Sequence, residues 1–408
     1  MAVKLASSPN TSVRLALVSG SIPLGGSTTF LINFAGELVR RGIPVLVISL
    51  ERENPLGADF QKQNIPVLCL DNRGLIFEDR LAVALRELSV FQPTAVVATL
   101  GASSFEILRY LPAGVVRIGM GQSDDPLVYA MMRHYAPWMD LVAMVSRAMQ
   151  EKAAAMPEFA RVPVAYLPYG VPMCADAALP ARNWQQPLRL LYLGRLGREQ
   201  KRVHLFPEIF AQLCASGIPF HWTIAGVGEE RAFLEANLIS PSPRQTVHFA
   251  GSVNYAAVPG LLQTHAVYLL ASDYEGLPLS LLEAMGYGVV PVVSDLRSGI
   301  SEVVDATTGL LVPVADTAGY ARAIVHLHAH REELAAKSAA ARARVRERFS
   351  VAAMTEQWLR ALPAPPASVP QWPRRWKIGG PLTSTDRIYF SPPARFFRRL
   401  VTRFRKQA

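Results

Sequence analysis

From Val13 onward the chain alternates short apolar runs with amphipathic segments, and this rhythm is the strongest constraint on its fold. Residues 13–19 read as a strand, 20–27 as a glycine-rich turn, and 28–41 as an amphipathic helix stopped by Gly42 and Pro44. A strand at 45–49 follows at once, and further apolar runs at 66–70, 95–99 and 115–120 are separated by helix-like stretches. Parallel strands need crossovers of this length, so the pattern predicts βαβ units in a doubly wound sheet. Between residues 171 and 187 the period is lost among Pro172, Pro180 and Pro187, which reads as a linker. The rhythm then restarts with strands at 188–193, 220–225, 247–249, 266–271, 289–294 and 309–312. The expected fold class is therefore α/β, with two Rossmann-like parallel-sheet domains facing each other across a cleft. The halves share no sequence repeat.

A chain of 408 residues, half of them hydrophobic and 18% charged, can bury two such cores and is too apolar to be disordered throughout. Its longest apolar stretch, residues 281–293, is broken by Glu283, Gly286, Gly288 and Pro291, so no membrane-spanning helix is expected. Leu15 to Val18 is too brief for a signal-peptide core and reads as the first strand. Cys69, Cys174 and Cys214 lie far apart without metal-ligand spacing, which fits three free thiols in a reducing cytoplasm.

The formal charge of +10 is concentrated in one place. Residues 362–408 carry +9, and residues 1–361 only +1, so the body is nearly neutral and the tail is basic. The tail opens with Pro363, Pro365, Pro366, Pro370 and Pro373, a density that ends the preceding domain near Leu362 and favours an extended linker. Beyond Ser391, helical spacing would gather Phe396, Phe397, Leu400, Val401 and Phe404 on one face. Arg395, Arg398, Arg399, Arg405 and Lys406 would lie on the other, with Arg403 at the border. That profile suits a helix lying on an anionic membrane through residues 395–406, and packing on the protein's own body is the alternative. No helix-turn-helix, zinc-finger or aromatic RNA-binding motif accompanies the charge, so no nucleic-acid partner is expected.

The chemistry concentrates in the stretch from Ser272 to Met285, where a strand delivers Glu275 into a tight Gly276-Leu277-Pro278 loop and a helix beginning near Leu279 carries Glu283 one turn inside. Strand 188–193 ends in Gly194-Arg195, and Lys201 follows six residues later. Gly25-Gly26-Ser27 sits between the first strand and helix, and Gly226-Val227-Gly228 follows the strand at 220–225. Gly251 and the run Pro168-Tyr169-Gly170-Val171 complete the set.

In these residues the chain resembles the retaining, nucleotide-sugar-dependent glycosyltransferases of family 4, which have the two-domain arrangement called GT-B. The resemblance covers roughly residues 13–361. It implies that Glu283 accepts hydrogen bonds from the donor's ribose diol and that Glu275 binds the transferred sugar. Backbone N–H groups from Gly276 to Leu279 would face phosphate or sugar oxygens. Arg195 and Lys201 would clamp the diphosphate and stabilise it as it leaves, so Arg195, Lys201 and Glu275 are the implied catalytic set. Gly25, Gly26 and Gly226 would border the donor. With the linker (173–187) and the tail (362–408) read from the residues, the resemblance makes the rest an acceptor-side domain (1–172), a nucleotide-sugar domain (188–350) and a helix (351–361) braced on the first domain by Met354 and Trp358.

Two positions depart from the family pattern. The glycine usual after the lysine is Arg202, and the histidine common in the first domain's loop near residue 120 is replaced by Gln122, whose amide cannot gain or lose a proton. Asp124 and Asp125 are acceptor-side candidates, although an Asp-Asp-Pro also starts a helix; His134 is the only histidine before residue 200. The three-glycine dinucleotide fingerprint is missing, and so is any Asp-x-Asp triplet. The expectation is a cytoplasmic hexosyltransferase, peripheral to the inner membrane face through its tail. It would need no cofactor and no bound metal, with a nucleotide sugar as co-substrate and a saccharide or lipid-linked acceptor. A catalytically silent binding or scaffold protein and a sugar-nucleotide epimerase are the alternatives.

Overall fold

The computed structural model describes residues 13–71, 73–175, 184, 186–363 and 370–379. The helix foreseen beyond Ser391 lies outside the described residues, as does much of the linker.

Seven strands form the first sheet: β1 (Leu15–Ser19), β2 (Val45–Ser49), β3 (Val67–Cys69), β4 (Ala95–Ala98), β5 (Val116–Gly121), β6 (Leu141–Met144) and β7 (Val164–Tyr166). Six form the second: β8 (Leu188–Leu193), β9 (Phe220–Ala225), β10 (Gln245–Gly251), β11 (Val267–Leu270), β12 (Val290–Ser294) and β13 (Leu310–Val312). The orders are β3-β2-β1-β4-β5-β6-β7 and β10-β9-β8-β11-β12-β13, and these strands pair in parallel throughout. The order therefore reverses between β1 and β4 in one sheet and between β8 and β11 in the other, and crevices open at the carboxyl ends of those strands.

The helices of the first domain are α1 (Gly26–Arg40), α2 (Gly57–Lys62), α3 (Phe77–Phe91), α4 (Ala102–Glu106), α5 (Pro126–Tyr135) and α6 (Arg147–Ala154). The second contributes α7 (Phe206–Ala215), α8 (Arg231–Asn237), α9 (Val258–Gln263), α10 (Leu279–Gly286), α11 (Gly299–Val303), α12 (Thr317–Ala329) and α13 (Arg331–Arg348). Central strands such as β1, β4, β11 and β12 are buried at every position because helices cover both faces of the sheet, which is why they read as unbroken apolar runs.

The chain crosses back after α13. Val171 and Ser350 form a parallel bridge, and α14 (Val351–Ala361), capped by the Ser350 hydroxyl on the Ala353 N–H, lies on α1. Trp358 is fully buried there, its ring centroid 5.2 Å from that of Phe34 and 6.2 Å from that of Phe30. Met354 fills the space beside Gly170, where even a methyl group would meet the Ser350 carbonyl at 2.6 Å.

Candidate functional site

Loops from both switch points converge on the cleft. The loop after β8 carries Arg195 and Lys201, and the loop after β11 carries Glu275. The two are joined side by side: the Asp273 N–H donates to the Gln200 carbonyl at 2.9 Å, and the Gln200 amide donates to the Tyr274 carbonyl at 3.3 Å. Glu275 is 5% exposed and accepts from the Ser272 hydroxyl at 2.7 Å and from Lys201 Nζ at 2.5 Å. Arg195 stands exposed at the rim, its guanidinium donating to Gln200 Oε1 at 3.2 Å.

Arg202, in place of the family's glycine, has φ +48°. This left-handed conformation is the reason glycine suits the position, and it costs a branched-out side chain about 1 kcal/mol. An ion pair of Arg202 with Asp273 at 3.1 Å offsets part of that cost. Gly226 has no such latitude. At φ +147°, any Cβ there would fall 1.8 Å from the Gly194 carbonyl oxygen, so this glycine lets the loops after β8 and β9 pack backbone to backbone.

Glu283 lies on α10, whose N-terminus at Pro278 has no side-chain cap. Its carboxyl is partly buried and has no hydrogen-bond or ion-pair partner among the described residues. Burial alone pushes it up to about 8, since nothing nearby stabilises the charged form. Tyr255, Tyr268 and Tyr287 lie near it, each held protonated chiefly by burial; the Glu283 charge comes next for Tyr255, and adds less than Glu275 does at Tyr268 and less than Cys174 does at Tyr287. An unpartnered carboxyl in such a place is expensive for a fold and is typical of a ligand contact.

The first domain closes on this region at several points. Gly276 approaches the loop after β5 so closely that a Cβ would lie 2.7 Å from the Gln122 carbonyl and 2.9 Å from Val145. Gly26, at the start of α1, faces Leu279, with Gly25 immediately before it at the helix N-terminus. Tyr255 donates its hydroxyl to Asn33 Oδ1 at 2.7 Å, and the Asn33 amide donates to the Gly170 carbonyl at 3.0 Å. Asn33 is 3% exposed and went unnoticed in the sequence, because a lone amide on a helix carries no signal. At the edge of the cleft, the Arg147 N–H donates to Glu302 Oε1 at 2.5 Å.

The acceptor-side candidates divide. Gln122 Oε1 is buried without a hydrogen-bond partner, and its amide nitrogen reaches only the Met120 sulfur at 3.8 Å. Asp125 caps α5 by accepting from the Leu127 N–H at 2.8 Å. Asp124 accepts from Tyr129 at 2.7 Å and from Lys152 at 2.8 Å, so both carboxylates already have partners within the first domain. His134 is exposed on α5. Cys69, Cys174 and Cys214 are free thiols. Among the described residues no cluster of three or more His, Cys, Asp or Glu has the geometry to hold a metal ion, and no helix is long and apolar enough to cross a membrane.

Residues 187–330 match the sequence model of the family described as Glycosyl transferases group 1. The putative colanic acid biosynthesis glycosyltransferase WcaL of Escherichia coli is 34% identical over 160 residues, which span 38% of this chain and 39% of that protein. The amylovoran biosynthesis glycosyltransferase AmsK of Erwinia amylovora is 31% identical over 172 residues, 40% of this chain and 42% of its own. The matched segment is thus about two fifths of these relatives. In overall fold the chain is similar to S. aureus TarM, solved with fondaparinux, α-GlcNAc-glycerol and UDP (TM-score 0.70, 12% identity, 85% of this chain and 99% of that one). It is also similar to Anabaena HepE in complex with UDP-glucose (TM-score 0.68, 17% identity, 86% of this chain and 100% of that one). The arrangement of the two sheets is that of the GT-B glycosyltransferases.

Proposed function

We propose that the protein, in which residues 187–330 match the group 1 glycosyl transferase model within a chain of GT-B fold, transfers a sugar from a nucleotide-sugar donor to a saccharide or lipid-linked acceptor with retention of anomeric configuration. The observation that carries this reading is Glu283, a carboxyl without partners beside an uncapped helix N-terminus at the second sheet's switch point. A vicinal ribose diol supplies the two hydrogen bonds that this carboxyl lacks. Relatives that match this chain are named for colanic acid and amylovoran biosynthesis, and TarM and HepE were solved with UDP or a UDP-sugar.

In this reading Arg195 and Lys201 receive the diphosphate. In the ligand-free site Lys201 is neutralised by Glu275, so an arriving diphosphate competes for the lysine and frees Glu275 for the hydroxyls of the sugar. The bond from the anomeric carbon to the phosphate oxygen breaks while an acceptor oxygen attacks the same face. The acceptor proton passes to the departing phosphate, whose growing charge is met by two cations and backbone N–H groups without a resident metal. No ionisable side chain is required to take that proton, so a chain with Gln122 where the family often has histidine retains a complete route. The buried, unpaired Gln122 Oε1 accepts a sugar hydroxyl instead.

A second reading, a nucleotide-sugar binder without turnover, is favoured by that same glutamine. The test is thermal stabilisation by a panel of nucleotides and nucleotide sugars, followed by a transfer and hydrolysis assay with the compound that stabilises. Saturating ligand at about 100 times its Kd adds about 2.7 kcal/mol. Stabilisation with turnover upholds the transferase, stabilisation without turnover upholds the binder, and no stabilisation by any compound overturns both.

A further inference from the structure

The segment from Pro370 to Gly379 follows a proline-rich stretch and has neither helix nor strand, yet it is seated on the first domain. Trp376 Nε1 donates to the Tyr110 carbonyl at 3.3 Å, and the Gly379 N–H donates to the Tyr110 hydroxyl at 3.3 Å. Ile378 is buried, and Trp372 and Trp376 pack on the core. Beneath the segment, Glu106 is fully buried and accepts from Arg109, from Tyr110 and, at 2.9 Å, from Tyr135 at the end of α5. The Arg109 guanidinium lies over the rings of Tyr110 and Trp138.

While the aromatic residues face inward, Arg374, Arg375 and Lys377 are all exposed, and none of the three has an ion-pair partner among the described residues. Three cations are therefore fixed on one strap of a domain that is otherwise nearly neutral. The strap's anchor, Tyr110, shares the Glu106 carboxylate with Tyr135 at the end of α5, and the ten residues of α5 span about 15 Å back towards the Gln122–Asp125 loop. Leu127, at the opposite end of α5, is 76% exposed. A further 29 residues, with seven more cations, one acid and the alternating Phe and Arg pattern, begin where the strap ends at Gly379.

We propose that residues 370–379 are a docking strap that holds the acceptor-side domain, by the face around Tyr110 and α5, against an anionic lipid bilayer. The proposal rests on the reading of a membrane-borne acceptor for its purpose, and on the unpaired cations and their anchors for its evidence. Phosphodiester headgroups supply the negative charge that the strap lacks, and the Phe and Leu residues further along suit a bilayer rather than a nucleic acid. Anchoring the strap to the first domain leaves the second free to open and close over the donor.

The test is flotation of the full chain with phosphatidylcholine vesicles, with and without phosphatidylglycerol, combined with hydrogen exchange. A cation near an anionic leaflet is worth roughly fivefold in partition, so Arg374→Gln, Arg375→Gln and Lys377→Gln together should weaken binding on the order of 100-fold. Trp376→Ala, which unties the strap but keeps its charges, should leave vesicle binding in place while abolishing vesicle-dependent protection of α5. Unchanged partition of the triple variant, protection falling on the second domain, or tighter binding to an oligonucleotide than to vesicles would each overturn the proposal. Donor-induced thermal stabilisation, measured on the same variants, reports separately on the transferase reading.

Discussion

Replacing Glu283 by Gln should stabilise the ligand-free protein at alkaline pH while weakening its hold on the donor. The carboxyl is pushed up to about 8 from 4.5 in the unfolded chain. Below about pH 4.5 both states are protonated and the group has no effect on stability. Between 4.5 and 8 the unfolded chain ionises while the native carboxyl keeps its proton, so native stability falls as pH rises and levels off above 8. At 1.36 kcal/mol per unit the ceiling is about 5 kcal/mol, and water at the open side of the site reduces it to roughly 1 to 3. Gln, which has no charge to desolvate, avoids that loss. Melting curves of both proteins at pH 5 and pH 9 should therefore coincide at the acidic value, within the small cost of the amide, and separate by several degrees at the alkaline one, with the variant higher. The ordering should reverse with nucleotide present, because the charged carboxylate's hydrogen bonds to a diol, at about 1.5 to 3 kcal/mol each, are replaced by weaker ones. Parallel pH dependence of the two melts would refute the claim that Glu283 is buried without a partner. Undiminished stabilisation of the variant by nucleotide would refute the ribose assignment.

Gly276→Ala places a methyl group against the backbone carbonyl of Gln122, which cannot rotate away, so an overpacking cost of about 1 to 3 kcal/mol falls on the closed arrangement of the domains. Calorimetry should find donor affinity nearly intact and turnover reduced at least tenfold; equal loss of both would place the glycine's role within the second domain. Tyr255→Phe removes the hydroxyl that joins the second domain to Asn33. About 1 kcal/mol of stability should be lost, and donor hydrolysis should rise relative to transfer as the cleft loosens, whereas an unchanged ratio would make this bond purely structural. Removing residues 391–408 should release much of the protein from phosphatidylglycerol vesicles, and full retention on flotation would remove the amphipathic helix from the account.

Much of the second domain was legible without coordinates because its signals are local. Strand, loop and helix around Glu275 and Glu283 lie within the twenty consecutive residues 267–286, and the ends of β8 and β9 coincide with the apolar runs that predict them. The first five strands followed from the same periodicity, to within two residues at their ends, whereas helix α14 was implied by the family resemblance. β6 and β7, no shorter than β4 and β3, escaped it because β6 lies between the turn at 136–138 and α6 and β7 closely follows the turn at 157–159, so neither run stands out from its helical surroundings.

What only the tertiary structure decided is which groups meet. Lys201 and Glu275 pair across 74 residues, Tyr255 and Asn33 across 222, and Trp376 reaches Tyr110 across 266. No spacing rule connects residues so far apart. The prolines after Leu362 read as a linker because proline reports backbone stiffness and not the surface an extended segment will meet, and part of that linker is a strap with a fixed seat. The lack of a partner for Glu283 is likewise a property of the assembled cleft. Sequence sets a residue's chemistry and its place within a local element, whereas desolvation and pairing depend on everything folded around it.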